Sequence, residues 1–147
     1  MKEKGFTLIE MLVVVAVLGI ISAIAVPNFL KAQRSARDSN AVRYLRSWSS
    51  GQEMYRKAHP LNCYASADED LVTGGFINKA LIGGNADDRG HTYSIDSRGC
   101  AEPNPNQWYG VARRRNTIVA STSFYIDQSG VIRRNAGATA GPGDPTL

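Results

Sequence analysis

The sequence has few residues of the kinds that build metal and catalytic sites. Its 147 residues include only two histidines, His59 and His91, and two cysteines, Cys63 and Cys100, with no C-x-x-C pair. Neither histidine lies in a catalytic motif, so we predict no enzyme active site, no metal site and no cofactor. In an exported domain, such a cysteine pair is more typical of one disulfide between Cys63 and Cys100 than of zinc binding.

Charged residues are almost absent between Phe6 and Val26, although 20% of the whole chain is charged. A helix over this segment would be about 31 Å long at ~1.5 Å per residue, enough to cross a bilayer. The segment is also longer than the roughly 4–8 residues of a buried strand. It therefore predicts a membrane-spanning helix.

A conventional secretory signal is an alternative explanation of this segment. Lys2 and Lys4 would form its basic region, and Ala23-Ile24-Ala25 has the small-x-small pattern of a cleavage site. However, the apolar run exceeds the usual ~7–15 residues, and it contains Glu10. A carboxylate at mid-bilayer costs ~2.5–3.5 kcal/mol, so it indicates either a function or a position near the membrane surface.

The residues around Glu10 carry a specific resemblance. The segment Lys4-Gly5-Phe6-Thr7-Leu8-Ile9-Glu10, followed by the apolar helix, resembles the class III signal of type IV prepilins and pseudopilins, and the likeness extends from Met1 to about Leu30. It implies that a membrane aspartyl peptidase cuts after Gly5 and that the new amine of Phe6 is methylated. It also implies that Glu10 pairs with the Phe6 amine of a neighbouring subunit during assembly.

The middle of the apolar helix has two residues that weaken helices. Gly19 has a poor helix propensity, and Pro27 removes a backbone hydrogen bond. Together with the segment Val26-Pro27-Asn28-Phe29, they resemble the kinked, extensible helix of the same family. We therefore expect a kink at these positions.

The distribution of basic residues points to the opposite membrane orientation. The leader carries Lys2 and Lys4, whereas Lys31, Arg34 and Arg37 follow the apolar segment. The positive-inside rule would place the C-terminal side in the cytoplasm. We give greater weight to the prepilin signature, because a cytoplasmic head could not be assembled outside the cell.

The helix is expected to continue beyond the membrane. Residues 28–57 contain no proline, and apolar side chains recur at approximately helical spacing at Val42, Leu45, Trp48 and Tyr55. This pattern predicts an amphipathic second half of the helix. Its many basic residues are typical of a solvated face.

A long connection follows the helix. His59-Pro60 should end the helix, and residues 61–90 contain a short helical candidate near Phe76 to Leu81. The acidic groups Asp68-Glu69-Asp70 and Asp87-Asp88 could supply oxygen ligands for calcium, but no calcium-loop motif is present. Hydrated loop acids are the more common outcome.

The last third of the chain predicts strands. Thr92 to Asp96 and Trp108 to Ala112 have strand character, and Ser123 to Ile126 followed by a turn and Val131 to Arg133 forms a hairpin pattern. Asp127 is expected to form the turn. The predicted fold is α+β, with the long N-terminal helix packed on an antiparallel sheet of about four strands.

These elements suggest five regions. They are a leader (1–5), a transmembrane and assembly helix (6–27), an amphipathic helix half (28–58), a globular head (59–134) and a flexible tail (135–147). The tail assignment depends on composition alone.

The resemblance implies a structural subunit of a filament outside the cell or in the periplasm. The expected partners are a prepilin peptidase and methyltransferase, identical or related subunits, an inner-membrane assembly platform and, before assembly, membrane lipid. A pseudopilin of a type II secretion system is the alternative within the family.

A membrane-anchored nucleic-acid-binding module is the alternative outside the family. Arg113-Arg114-Arg115, Arg133-Arg134 and Trp108-Tyr109 combine positive charge with aromatic rings. Strand pairing explains the aromatic residues equally well, so DNA is the weakest of the expected partners.

Overall fold

A computed structural model of the chain describes residues 5–78, 90–97, 100, 107–115 and 122–147. The first element, α1, is one helix from Leu8 to Ala58. Glu10 in its first turn and Arg56 and Lys57 in its last turn complement the helix dipole. Pro27 lies inside the helix, which continues through it; the kink at Gly19 and Pro27 stays a prediction.

The chain divides into two compact units, residues 1–35 and 36–147. In the described part of the first unit, every residue from Gly5 to Ala32 is exposed. The exposed fraction is 80% for Phe6 and 66% for Ile20. Among the described residues, α1 is the one helix that has the length and apolar composition needed to cross a membrane.

The second unit contains the core. The second half of α1 buries Ala41, Leu45 and Trp48 completely. Their spacing of four and three residues places them on one face of the helix. Val42 and Tyr55, which the same pattern singled out, are partly buried against this core.

Four antiparallel strands complete the second unit, in the order β1-β2-β3-β4. Their bounds are His91–Ser97 for β1, Trp108–Arg114 for β2, Ser123–Asp127 for β3 and Arg133–Asn135 for β4. The predicted α+β fold and four-stranded sheet are therefore confirmed. Asp127 also forms the expected turn, because its Oδ1 accepts a hydrogen bond from the Ser129 backbone N–H at 2.9 Å.

The sheet packs tightly against α1 at Gly110. A Cβ atom at this position would lie 3.2 Å from Cε3 of Trp48 and 3.3 Å from Cγ2 of Ile126. Trp108, Ala112 and Ile126 belong to the same buried cluster as Trp48. The absence of a side chain at residue 110 thus allows the strand to pack against the tryptophan.

The connection after α1 contains a short helix that differs from the predicted one. Helix α2 spans Asp68–Thr73, whereas the candidate was Phe76 to Leu81. The described part of that candidate, 76–78, is not helical, and 79–81 lie outside the described residues. Acidic residues in the first turn and burial of Leu71 favour the earlier position.

The acidic residues that were calcium candidates are accounted for in part by α2. Oδ2 of Asp70 accepts hydrogen bonds from the backbone N–H of Ala67 at 3.3 Å and from the hydroxyl of Ser66 at 3.1 Å. This carboxylate therefore stabilises the start of the helix. Asp87 and Asp88 lie outside the described residues.

The C-terminal segment makes contacts with the head that its composition did not suggest. Ala140 is buried against Val111 and Tyr125. The carboxylate of Asp144 accepts hydrogen bonds from Asn135 Nδ2 at 3.0 Å and from the Gly141 backbone N–H at 2.8 Å. A small apolar contact and one aspartate hold a segment whose glycines and prolines would otherwise predict a loop.

Candidate cleavage and assembly site

The predicted cleavage junction lies immediately before α1. Gly5, Phe6 and Thr7 are exposed and precede the first helical residue, Leu8. A Cβ atom at Gly5 would meet no other atom within 4 Å. The fold itself therefore does not require glycine here.

Thr7 and Glu10 form a reciprocal pair at the start of α1. The Glu10 carboxylate oxygen Oε2 accepts hydrogen bonds from the Thr7 backbone N–H at 2.9 Å and from its hydroxyl at 2.7 Å. In return, the Thr7 hydroxyl accepts a 3.3 Å hydrogen bond from the Glu10 backbone N–H. This is a capping box, with Thr7 as the N-cap and Glu10 three residues later.

Sequence reasoning missed the capping box, although the T-x-x-E pattern of Thr7-Leu8-Ile9-Glu10 could have revealed it. Both hydrogen bonds from Thr7 use Oε2, and Glu10 makes no ion pair with any residue in the part of the chain that the structure describes. Together with Gly5 and Phe6, the pair lines an open hollow of about 310 Å³. Thr7 thus holds the Glu10 carboxylate through Oε2, and its other oxygen, Oε1, remains available to accept a hydrogen bond from another group.

Gly19 also lies in open space. A Cβ atom on it would meet nothing within 4 Å, apart from the helix's own backbone. No packing within the described residues explains a glycine at this position. A role in helix bending or in close contact with another helix stays a prediction.

The expected disulfide between Cys63 and Cys100 is present. The two Cα atoms are 5.3 Å apart, and 37 positions separate the residues in sequence. Cys63 is buried and Cys100 half-buried. The bond ties the chain just after α1 to the connection between β1 and β2.

Next to the disulfide, the side chain of His59 stacks on Tyr55 with ring centroids 5.3 Å apart. Its Nδ1 atom lies 3.4 Å from Sγ of Cys63 and 3.8 Å from Sγ of Cys100. The structure therefore brings together three of the chain's four histidine and cysteine residues.

The fourth, His91, is the first residue of β1, and it is buried. Its Nε2 atom is 2.7 Å from the carbonyl oxygen of Thr122 and 3.6 Å from Oδ1 of Asp38. Burial raises the pKa of the Asp38 carboxyl, while the nearby His91 and hydrogen bonds from Thr122 partly offset that effect. These contacts link α1 to the sheet.

The aromatic pair proposed for nucleic-acid binding does not form a stacking surface. Trp108 is only 2% exposed and belongs to the core. Tyr109 is 39% exposed, and its hydroxyl donates a 2.7 Å hydrogen bond to Asp96. Arg114 donates to the backbone carbonyls of Ala136 and Gly137. One aromatic ring and one arginine of the predicted surface are thus used within the head.

Comparison with protein families identifies the N-terminal segment. Residues 1–26 match the family model described as the prokaryotic N-terminal methylation motif. The match covers Gly5, Phe6 and Glu10. It ends just before Pro27, so it concerns the leader and the apolar helix.

Three relatives share longer segments with the chain. It is 40% identical over 72 residues to the type IV wide pilus major component PilA4 of Thermus thermophilus, which covers 49% of the chain and 53% of that protein. It is 43% identical over 54 residues to the type IV major pilin protein PilA of Myxococcus xanthus. This alignment covers 37% of the chain and 24% of that protein. It is 33% identical over 70 residues to the type II secretion system core protein G of Pectobacterium carotovorum. This alignment covers 48% of the chain and 44% of that protein.

The resemblance to type IV pilins and pseudopilins is therefore confirmed. The chain spans about half the length of the first of these relatives and less of the others. No solved structure matches the chain significantly.

Proposed function

We propose that the chain is a type IV pilin-like structural subunit. Prepilin peptidase would remove residues 1–5, and the mature chain would polymerise through the apolar half of α1. The methylation motif over residues 1–26 and the similarity to two pilus components support this proposal. The role is structural, and no catalytic function is assigned to the chain.

The observation that carries the proposal is the uncovered apolar surface of α1. Large apolar side chains between Phe6 and Leu30 are between 45% and 83% exposed. Burying each of them is worth roughly 1.5–3 kcal/mol, so this surface is stable only when other apolar groups cover it. Lipid of the bacterial inner membrane would cover it before assembly, and helices of other subunits would cover it afterwards.

Glu10 would direct the assembly. Cleavage after Gly5 creates an amine on Phe6, and N-methylation leaves that amine basic, so it would carry a positive charge. Because Thr7 engages Oε2 of Glu10, Oε1 could accept the Phe6 amine of a neighbouring subunit. The pair would neutralise two charges within an apolar interior and set the register between subunits.

The remaining partners follow from the same pathway. A processing enzyme would both cut and methylate the precursor, and an assembly platform in the inner membrane would add each subunit to the filament. The filament would be a pilus on the cell surface. Its use in adhesion, motility or DNA uptake would depend on the head.

A type II secretion pseudopilin is the second candidate. Its support is the similarity to core protein G over 70 residues. The two candidates share cleavage and polymerisation but differ in where the filament ends. Deletion of a pilin would remove surface filaments, whereas deletion of a pseudopilin would trap exported folded proteins in the periplasm.

The central experiment measures the mature N-terminus and the location of the chain. Mass spectrometry of protein from the membrane and from sheared surface filaments should find a chain that starts at N-methyl-Phe6. Such a chain in the sheared fraction supports a pilus, and one retained in the periplasmic fraction supports a pseudopilus. A mature chain that starts at Val26 would contradict both.

A further inference from the structure

The disulfide has a third potential metal ligand beside it. Nδ1 of His59, Sγ of Cys63 and Sγ of Cys100 lie within 4.8 Å of one another. His59 is at the C-terminal side of α1, Cys63 follows in the next loop, and Cys100 comes from the connection between β1 and β2. The segment just after α1 and the connection between β1 and β2 thus place three ligand-type atoms around one point.

The distances from the imidazole to the sulfurs match those of a metal centre. In a tetrahedral zinc site, Zn–N of ~2.0–2.1 Å and Zn–S of ~2.3 Å place a nitrogen and a sulfur ligand about 3.6 Å apart. The two measured distances from Nδ1 are 3.4 and 3.8 Å. The imidazole therefore already lies where a metal bound by the two sulfurs would need it.

The hydrogen bonding of the imidazole also suits a ligand. The backbone N–H of Leu61 donates to Nδ1 at 3.4 Å, so Nδ1 acts as an acceptor, as a metal ligand must. That hydrogen bond is longer than the usual ~2.7–3.2 Å, so a metal could replace it at little cost. His59 and Cys100 are half-buried, so both residues are in part accessible to solvent.

We propose that His59, Cys63 and Cys100 form a binding site for a thiophilic divalent cation, Zn²⁺ in particular, when the disulfide is reduced. Two equivalents of a thiol reductant convert the disulfide to two cysteine thiols and are themselves oxidised to one disulfide. Binding of Zn²⁺ then displaces both thiol protons, so two protons are released for each metal bound. Rotation about the Cα–Cβ bonds separates the sulfurs to the ~3.8 Å that a tetrahedral metal requires.

The disulfide form and the metal-bound form exclude each other, because a sulfur in a disulfide is not a thiolate and cannot bind the metal as one. Each form nevertheless joins the same two parts of the chain, whose Cα atoms lie 5.3 Å apart in the oxidised form. The metal would therefore hold the loop after α1 to the sheet connection under conditions that open the disulfide.

The test uses the full chain in detergent, with Co²⁺ as a spectroscopic probe and Zn²⁺ as its competitor. The oxidised chain should bind neither ion at the disulfide. The chain reduced by a phosphine without oxygen should bind one Co²⁺, with thiolate-to-cobalt absorption, and Zn²⁺ should displace it. Bound Zn²⁺ should also protect both cysteines from alkylation.

Two variants separate a built site from adventitious binding. His59→Phe keeps an aromatic ring to stack on Tyr55 and should weaken metal binding at least tenfold, whereas a Cys63→Ser, Cys100→Ser double variant should abolish it. The proposal is overturned if the reduced chain shows no cobalt–thiolate absorption. It is equally overturned if His59→Phe, or the reduced chain unfolded in urea, binds as tightly as the folded reduced chain.

Discussion

Thr7 and Glu10 hold each other at the first turn of α1, since the Thr7 hydroxyl both donates to the Glu10 carboxylate at 2.7 Å and accepts from its backbone N–H at 3.3 Å. Glu10 therefore has a local task, helix capping, besides its proposed role in assembly. Replacing it by alanine would remove both, so that variant alone cannot separate the two roles.

A set of three variants does separate them. Glu10→Gln keeps the capping box, because glutamine also serves at this position, but it removes the charge. We expect filament yield to fall as far as with Glu10→Ala, since leaving one partner of a buried ion pair costs ~3–5 kcal/mol. Thr7→Ala should cost only ~1 kcal/mol of helix stability and leave most filaments.

The measurement is the amount of subunit in sheared filaments when each variant is the only copy, with membrane levels followed in parallel. Normal filaments from Glu10→Gln, together with a loss in Thr7→Ala equal to that in Glu10→Ala, would show that Glu10 is only a helix cap.

Gly5→Val should block processing without disturbing the fold. A side chain at this position meets no atom within 4 Å, so α1 should form and insert normally. We expect the uncut precursor to accumulate in the membrane and no subunit to appear in filaments. Intact-mass measurement of the membrane fraction detects the uncut chain. Efficient cleavage of the variant after residue 5 would show that processing does not require glycine at this position, and would contradict the prediction.

Gly110→Ala should destabilise the head by ~1–3 kcal/mol through overpacking. The added methyl would lie 3.2 Å from Trp48 and 3.3 Å from Ile126, both within the rigid core. Gly141→Ala is the matched control, because its Cβ meets nothing within 4 Å, and we expect a change within about 0.5 kcal/mol. Denaturant unfolding of the full chain measures both. Equal effects would show that the helix and sheet are not packed as described.

Loss of the disulfide should lower the free energy of unfolding by roughly 3–4 kcal/mol in the chain-entropy model. The Cys63→Ser, Cys100→Ser variant tests this in metal-free buffer, so that the proposed zinc site cannot contribute. The exported, unreduced wild-type protein should show no thiol that reacts with an alkylating reagent. Alkylation of both cysteines in that protein would instead mean that the bond does not form.

Asp68 should make stability depend on pH. Its burial, together with the negative charge of Glu69, raises the pKa of this carboxyl from 3.8 to about 6. Between these two values the folded chain binds more protons than the unfolded chain, so stability should fall as pH rises from 4 to 6.

Asp68→Asn should remove this fall and be most stabilising, relative to wild type, above pH 6. Glu69→Gln should reduce the fall only in part, since it removes the smaller of the two causes. Urea unfolding at a series of pH values measures the effect, and identical pH profiles for wild type and Asp68→Asn would contradict it.

Much of the fold could be predicted because it depends on periodic patterns. Leu45 and Trp48 lie on one face at helical spacing, and both are completely buried. Helix α2 was misplaced because its signals are weak: three acidic residues resemble a hydrated loop until Leu71 is seen to be buried. The contacts of the C-terminal segment could not be predicted for a similar reason, since composition does not show that Asp144 bonds to Asn135 and Gly141.

The sequence by itself determined what we predict for the N-terminal segment of this protein. The proposed cleavage after Gly5, the membrane helix and the proposed role of Glu10 depend on residues that are close together in the chain, and local patterns are sufficient to predict them. Only the tertiary structure decided that His59 lies beside Cys63 and Cys100, that His91 lies 3.6 Å from Asp38, and that Trp108 is buried. Apart from the local pair of His59 and Cys63, these relationships join residues far apart in sequence. Packing of the sheet against α1, rather than any local propensity, brings those residues together.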